Sequence, residues 1–224
     1  MANEDKYNLY FQVESRSIVI NGSFTPSIYQ PYWLQSKNIV GAQEAESADI
    51  KIIMPNVCQF VIGGWLEFTC TLDRMQLITR QKPYFQNLRD VASQIFHVHS
   101  QVPVNSMGMN YIHSFGMRDE EHYFEIGNNI AKLNNWSGIL NNPKLMKIDL
   151  NSDIDANGCV TSINVRQADN VLKINHGVEF AINDHFALKN NGLGADVYRI
   201  LESHYDFYAD KAKEISVKTI STFI

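Results

Sequence analysis

The densest arrangement of potential ligands in this chain is Asp153-x-Asp155-x-Asn157-Gly158. Oxygen side chains at alternate positions, closed by a glycine that permits a sharp turn, reproduce the first half of a calcium loop. The twelfth position of such a loop should be a bidentate glutamate, and here it is Asn164. Both flanks read as strands, and Asn-Gly between two alternating segments is a strong hairpin signal. The spacing therefore predicts a hairpin connection without a cation. His97-x-His99 would place two imidazoles on one face of a strand, a spacing that metals use. It falls at the end of a helical stripe, where basic side chains compensate the helix dipole. Neither a metal nor any other cofactor is expected.

Acid–base chemistry has one candidate group. His113 and His122 flank Asp119, Glu120 and Glu121, and a fold that joined a histidine to one of these carboxylates would make a proton-transfer pair. Helix capping and exposed charge account for the same residues. Asn183-Asp184-His185-Phe186 follows a strand pattern, but neighbouring Asp and His point apart on an extended chain, and Asn and Asp favour turns. There is no G-x-S-x-G, no G-x-x-x-x-G-K and no G-x-G-x-x-G, so lipase-type, P-loop and dinucleotide chemistry have no support. Cys58, Cys70 and Cys159 are odd in number and scattered. They read as buried thiols in a reducing cytoplasm rather than a disulfide or zinc framework.

The elements that must position these groups follow from periodicity. Tyr7, Leu9, Phe11 and Val13 alternate with polar residues and mark a strand that continues toward Ile20. Short alternating segments at 50–54, 57–62, 66–72 and 75–79 form an antiparallel meander with one wet face. Pro83 then opens a helix whose apolar residues run from Tyr84 to Phe96 at helical spacing. An extended stretch, 102–115, precedes a second helix opened by Asp119-Glu120-Glu121. Strands at 146–150, 160–165 and 171–182 follow. The chain closes with a long amphipathic helix carrying Val197, Ile200, Leu201, Tyr205, Tyr208, Ala212 and Ile215. The fold class is α+β, with mostly antiparallel sheets in two strand-then-helix halves, 1–134 and 135–224, forming one compact unit.

With 224 residues, 45% of them hydrophobic and 19% charged, the chain is long enough and apolar enough for a continuous core. A net charge of -5 with no basic run argues against duplex nucleic acid as a partner. The polar start lacks the pattern of a signal peptide, and no stretch is long and apolar enough for a membrane helix. A cytoplasmic location without membrane contact is expected.

One segment carries more aromatic residues than periodicity demands. Phe24 to Trp33 contains Phe24, Tyr29, Tyr32 and Trp33 and two prolines that deny it regular structure. Tyr and Trp are enriched at interface hot spots, which makes Tyr29, Tyr32 and Trp33 contact candidates. The alternative is a plug folded onto the end of its own sheet. This segment, the Asn183–Phe186 stretch and the terminal helix through Ile200–Asp206 resemble a group of sporadically distributed, uncharacterised bacterial proteins. The resemblance implies an α+β protein of bacterial origin, with accessory cargo such as phage defence or mobile elements as its setting, and implies no catalytic residue. The expected function is a non-enzymatic interaction or assembly subunit that binds a protein partner or itself. Two other functions stay open: an enzyme using His113, His122 and Glu121 between the halves, and a small-ligand sensor.

Overall fold

The computed structural model describes residues 10–117, 120–168, 176–188 and 192–222, with side chains for all of these but 10–12, 122 and 222. Strand β1 (Tyr10–Gly22) leads through a 3₁₀ turn at Pro26–Ile28 to the short helices α1 (Pro31–Ser36) and α2 (Ala42–Glu46). A meander follows: β2 (Asp49–Met54), β3 (Val57–Ile62), β4 (Leu66–Thr71) and β5 (Arg74–Thr79). Then come α3 (Phe85–Val98), β6 (Val104–Gly116), α4 (Glu120–Ala131), β7 (Lys147–Asn151), β8 (Cys159–Gln167), β9 (Gly177–Ala187) and α5 (Gly194–Thr222). The expected positions Tyr7 and Leu9, Asp119 and the strand start at 171 lie outside the described residues.

All nine strands belong to one antiparallel sheet in the order β2-β3-β4-β5-β1-β6-β9-β8-β7. Residue 134 falls in a connection between strands of this sheet, because β6 pairs directly with β9 from Ser106↔Ala187 to Gly116↔Gly177. The first strand is drawn into the middle, between β5 and β6. Pairing alternate residues across so many strands lays side chains out in rows. One row, Phe60–Phe68–Leu77–Ile18–Met109–Asp184–Thr161, crosses seven strands in register, and every member is buried.

Helices α3 and α5 cover the face that this row belongs to. Leu88, Val91, Ala92, Ile95 and Phe96 of α3 and Val197, Leu201, Tyr205, Tyr208 and Ala212 of α5 are buried, one stripe per helix as the periodicity predicts. The helices also hold each other: Ser93 Oγ donates to Glu202 Oε1 at 2.5 Å, and Tyr205 Oη donates to the Phe85 carbonyl at 2.8 Å. Near the other end of the chain Ser216 is fully buried and Ile215 is only half-buried, so the helix face turns by one residue there. No described helix is long and apolar enough to cross a membrane.

Two local expectations change. The aromatic segment is regular in part, because Pro26 and Pro31 each sit at the start of a short helical turn, where a missing N–H costs nothing. Asn183-Asp184-His185-Phe186 is not a turn; it lies inside β9, held by β6 on one side and β8 on the other. Ladder hydrogen bonds on both sides outweigh the local turn preference of Asn and Asp. The 153–158 segment does connect β7 to β8 as a hairpin loop, with Gly158 at φ +81.

Leu201 is fully buried and Phe207, on the same helix, is 56% exposed. Leu201→Ala should lower stability by about 2–5 kcal/mol, whereas Phe207→Ala should change it by no more than about 0.5 kcal/mol. Chemical denaturation of both variants checks this. The three thiols are buried, and burial raises the pKa of Cys58 to about 11 and of Cys70 and Cys159 to about 12. Native labelling should be slow at all three and become fast only on unfolding; quick labelling of any of them would place its strand in a different register.

Candidate functional site

Of the acid–base candidates, the structure describes the side chains of His113 and Glu121, which lie in different surroundings. His113, on β6, is buried under α5, and its Nδ1 lies 2.8 Å from Ser216 Oγ. That hydroxyl donates to the Ala212 carbonyl at 2.9 Å, so the histidine is the donor of the 2.8 Å bond. Burial is the main reason that its pKa is lowered to about 4. Glu121 is exposed on α4, and the side chain of His122 lies outside the described residues.

The aromatic segment divides. Tyr29 is 1% exposed; its ring meets Trp33 edge-on at 5.4 Å, and its hydroxyl lies 2.9 Å from His99 Nδ1. Phe24 and Phe68 pack around it. Tyr29 is therefore a core residue and not a contact point, because the segment folds back over the end of the sheet. Trp33 is half-buried, and Tyr32 is 77% exposed. His97 and His99 do not act together: His97 lies against Tyr198, at 4.9 Å between rings, and His99 turns to Tyr29 and Trp33.

Asp155 and Asn157 of the calcium-like motif are occupied within the protein, the Asn157 amide donating to Tyr208 Oη at 3.2 Å. Asp155 Oδ1 accepts from the backbone N–H groups of Asn157 and Cys159, and its Oδ2 accepts from Tyr208 Oη at 2.7 Å. These bonds close the loop and tie it to α5.

What sequence reasoning missed is a row on the sheet face away from α3 and α5. Ser17, Asn110, Asn183, Ser162 and Asn151 are register partners across five adjacent strands. Asn183 Nδ2 donates to Asn110 Oδ1 at 2.6 Å. Gly108 makes room for this amide, since a Cβ there would lie 2.8 Å from Asn183 Nδ2. The row floors a groove of about 420 Å³ whose lining runs from Arg74 and Gln76 on β5 to Asp149 on β7. Its middle combines the uncharged amides and hydroxyls of that row, which donate and accept hydrogen bonds, with the apolar side chains of Val19, Ile112 and Ala181. Asp149, at the rim, is held below the usual carboxylate range by hydrogen bonds from Asn164 and Lys147.

Beneath α5 lies a second polar group. Asp184 Oδ1 accepts from Thr161 Oγ1 at 2.6 Å, and Lys211 Nζ donates to the same hydroxyl at 3.2 Å. Asp184 Oδ2, Tyr111 Oη and Arg16 Nε are buried with no hydrogen-bond partner among the described residues. Burial raises the Asp184 pKa to about 6.

The two buried groups oppose each other in pH. Asp184 titrates in the fold at about 6 against 3.8, so its stabilising contribution is full below about pH 4 and is lost as pH rises to about 6. His113 titrates at about 4 against 6.5, so its contribution is full above about pH 6.5 and is lost as pH falls toward 4. Each effect is on the order of 3 kcal/mol. Asp184→Asn should therefore show stability that falls steeply on acidification from pH 6.5 to 4, and His113→Gln stability that rises over the same range. Melting of both variants across pH is the measurement, and parallel profiles would contradict the assignment. No family model matches this chain, and no curated protein or solved structure matches it either.

Proposed function

We propose that this chain is a non-enzymatic interaction or assembly subunit whose contact surface is the β7 end of the sheet. The observation that carries this reading is where large apolar side chains are exposed. Among the described residues Trp136, Ile139, Leu140, Met146, Leu150 and Ile154 all fall within one stretch of chain, and each is at least 49% exposed. Single exposed apolar residues are ordinary on a protein surface, whereas a concentration of them marks a docking region. Tyr32 adds a further exposed aromatic at the other end of the sheet. The likeness of the aromatic segment and terminal helix to sporadically distributed bacterial proteins supports a cytoplasmic complex of accessory type, in defence or on a mobile element, as the setting.

A small-ligand sensor is the second reading, and the groove on the far face favours it. Its volume of about 420 Å³ lies in the range of ligand pockets, about 300–1,000 Å³. Its lining, apolar side chains around a central row of amides and hydroxyls, suits a ligand that joins an apolar surface to a few hydrogen-bonding groups.

Replacing Met146 and Leu150 together by serine should remove the cross-linked complex that the tagged chain forms in its cells, with the melting temperature of the purified chain little changed. Survival of that complex, or the lack of any complex in the wild type, would sink the reading. In the aromatic segment Trp33→Ala should melt early, because the ring packs on Tyr29 and His99, while Tyr32→Ala should keep the wild-type melting temperature. Early melting of the Tyr32 variant would show that its ring is part of the fold.

A further inference from the structure

The hydrophobic rows of the sheet continue to its edge. Phe180–Val165–Ile148 and Ile182–Ile163–Leu150 are register partners strand by strand, so β7 carries the last members of two rows that begin in the core. Ile148 still packs against that core, but Leu150 is 49% exposed, and Met146, next in the alternation, is 69% exposed. β7 ends the strand order, and no other described strand pairs with its outer side. An unpaired edge presents backbone N–H and C=O groups to any strand of matching pattern unless a bulge, or a charge that the incoming strand cannot match, blunts it. The opposite edge, β2, is blunted by a register shift between Ile50 and Ile52. The register of β7 runs without a break from Lys147 to Asn151.

The pattern on β7 is complementary to itself. Two β7 strands set antiparallel about Ile148 bring Lys147 opposite Asp149 of the second copy, Ile148 opposite Ile148 and Met146 opposite Leu150. Opposite charges then meet on the face away from the helices, and apolar side chains meet on the helix face, as alternation requires. Moving the centre to Asp149 or to Lys147 sets like charges directly opposite, which is unfavourable. Of these three central positions of the strand, only Ile148 satisfies both faces.

We propose that two copies of this chain join edge to edge through β7, in the antiparallel register centred on Ile148, and so double the nine-stranded sheet. This rests on the reading of the β7 end as the contact surface and names its partner as a second copy. The pair is isologous, so each charge contact occurs twice. Lys147 and Asp149 have side chains 56% and 62% exposed, and replacing them should leave the monomer folded.

The test is the mass of the purified chain over a range of concentration, by sedimentation, with circular dichroism to confirm folding. The wild type should pass from monomer to dimer. Lys147→Asp and Asp149→Lys alone should each weaken association roughly tenfold or more, since two attractive pairs become repulsive. An equimolar mixture of these two variants should associate again, because every Lys then faces an Asp, and the double variant should do the same. A wild type that stays monomeric at every soluble concentration overturns the proposal, while loss of the cellular complex in the serine variant would still uphold the assembly reading. A dimer unaffected by the single variants, or a mixture that fails to recover, overturns it as well.

Discussion

The pairing of β1 with β6 holds this structure together. Among the described strands β1 alone links the meander β2–β5 to the rest of the sheet, because it bonds β5 on one side and β6 on the other. The two strands are far apart in the chain, yet loop-closure entropy grows only slowly with length. Once Ile18 lies opposite Met109 and Arg16 opposite Tyr111, the face of each residue from Val13 to Asn21 and of its partner on β6 is decided. A slip of one residue would turn Ile18 and Ile20 to the far face and Ser17 and Val19 into the core.

That constraint explains why charged and polar groups lie under α5. The long core row is apolar across five strands and becomes Asp184 and Thr161 on the last two. Arg16 occupies the neighbouring row, with its guanidinium 4.3 Å from the Phe85 ring centroid and 5.6 Å from that of Tyr205. α5 is thus fastened in two ways along its length. Leu201 and Tyr205 pack beside α3, and farther along Tyr208 and Lys211 make hydrogen bonds to Asp155 and Thr161. Buried polar networks specify geometry more than they add stability, since each group loses solvation on burial. Here they set the height of the helix over β8 and β9.

The sheet therefore has one face committed to its own helices and another whose central row is small, polar and half-buried. Its two ends also differ. The β2 end is irregular in register and has the aromatic segment packed nearby through Tyr29 and Cys58, whose thiol approaches the Tyr29 carbonyl at 3.3 Å. The β7 end is regular and carries apolar side chains into solvent.

Local pattern alone revealed most elements: the meander from 50 to 79, the helix begun at Pro83, the hairpin loop at Gly158 and the stripe of the terminal helix. Each depends on residues within a few positions of one another, where periodicity and turn chemistry act directly. The buried thiols and the separation of Asp184 from His185 were legible for the same reason. The sites were not. Tyr29 and Tyr32 are three residues apart and identical in type, and only the packing of Phe24, Phe68 and His99 puts one in the core and leaves the other in water. The Ser17–Asn110–Asn183–Ser162–Asn151 row draws one residue from each of five strands, so no spacing in the sequence announces it. Asn183 and Asp184 look like a turn until β6 and β8 close on both sides of them. Local chemistry determined which segments are strands and helices; long-range strand pairing decided which residues meet, because pairing order and register depend on contacts that no short window of sequence contains.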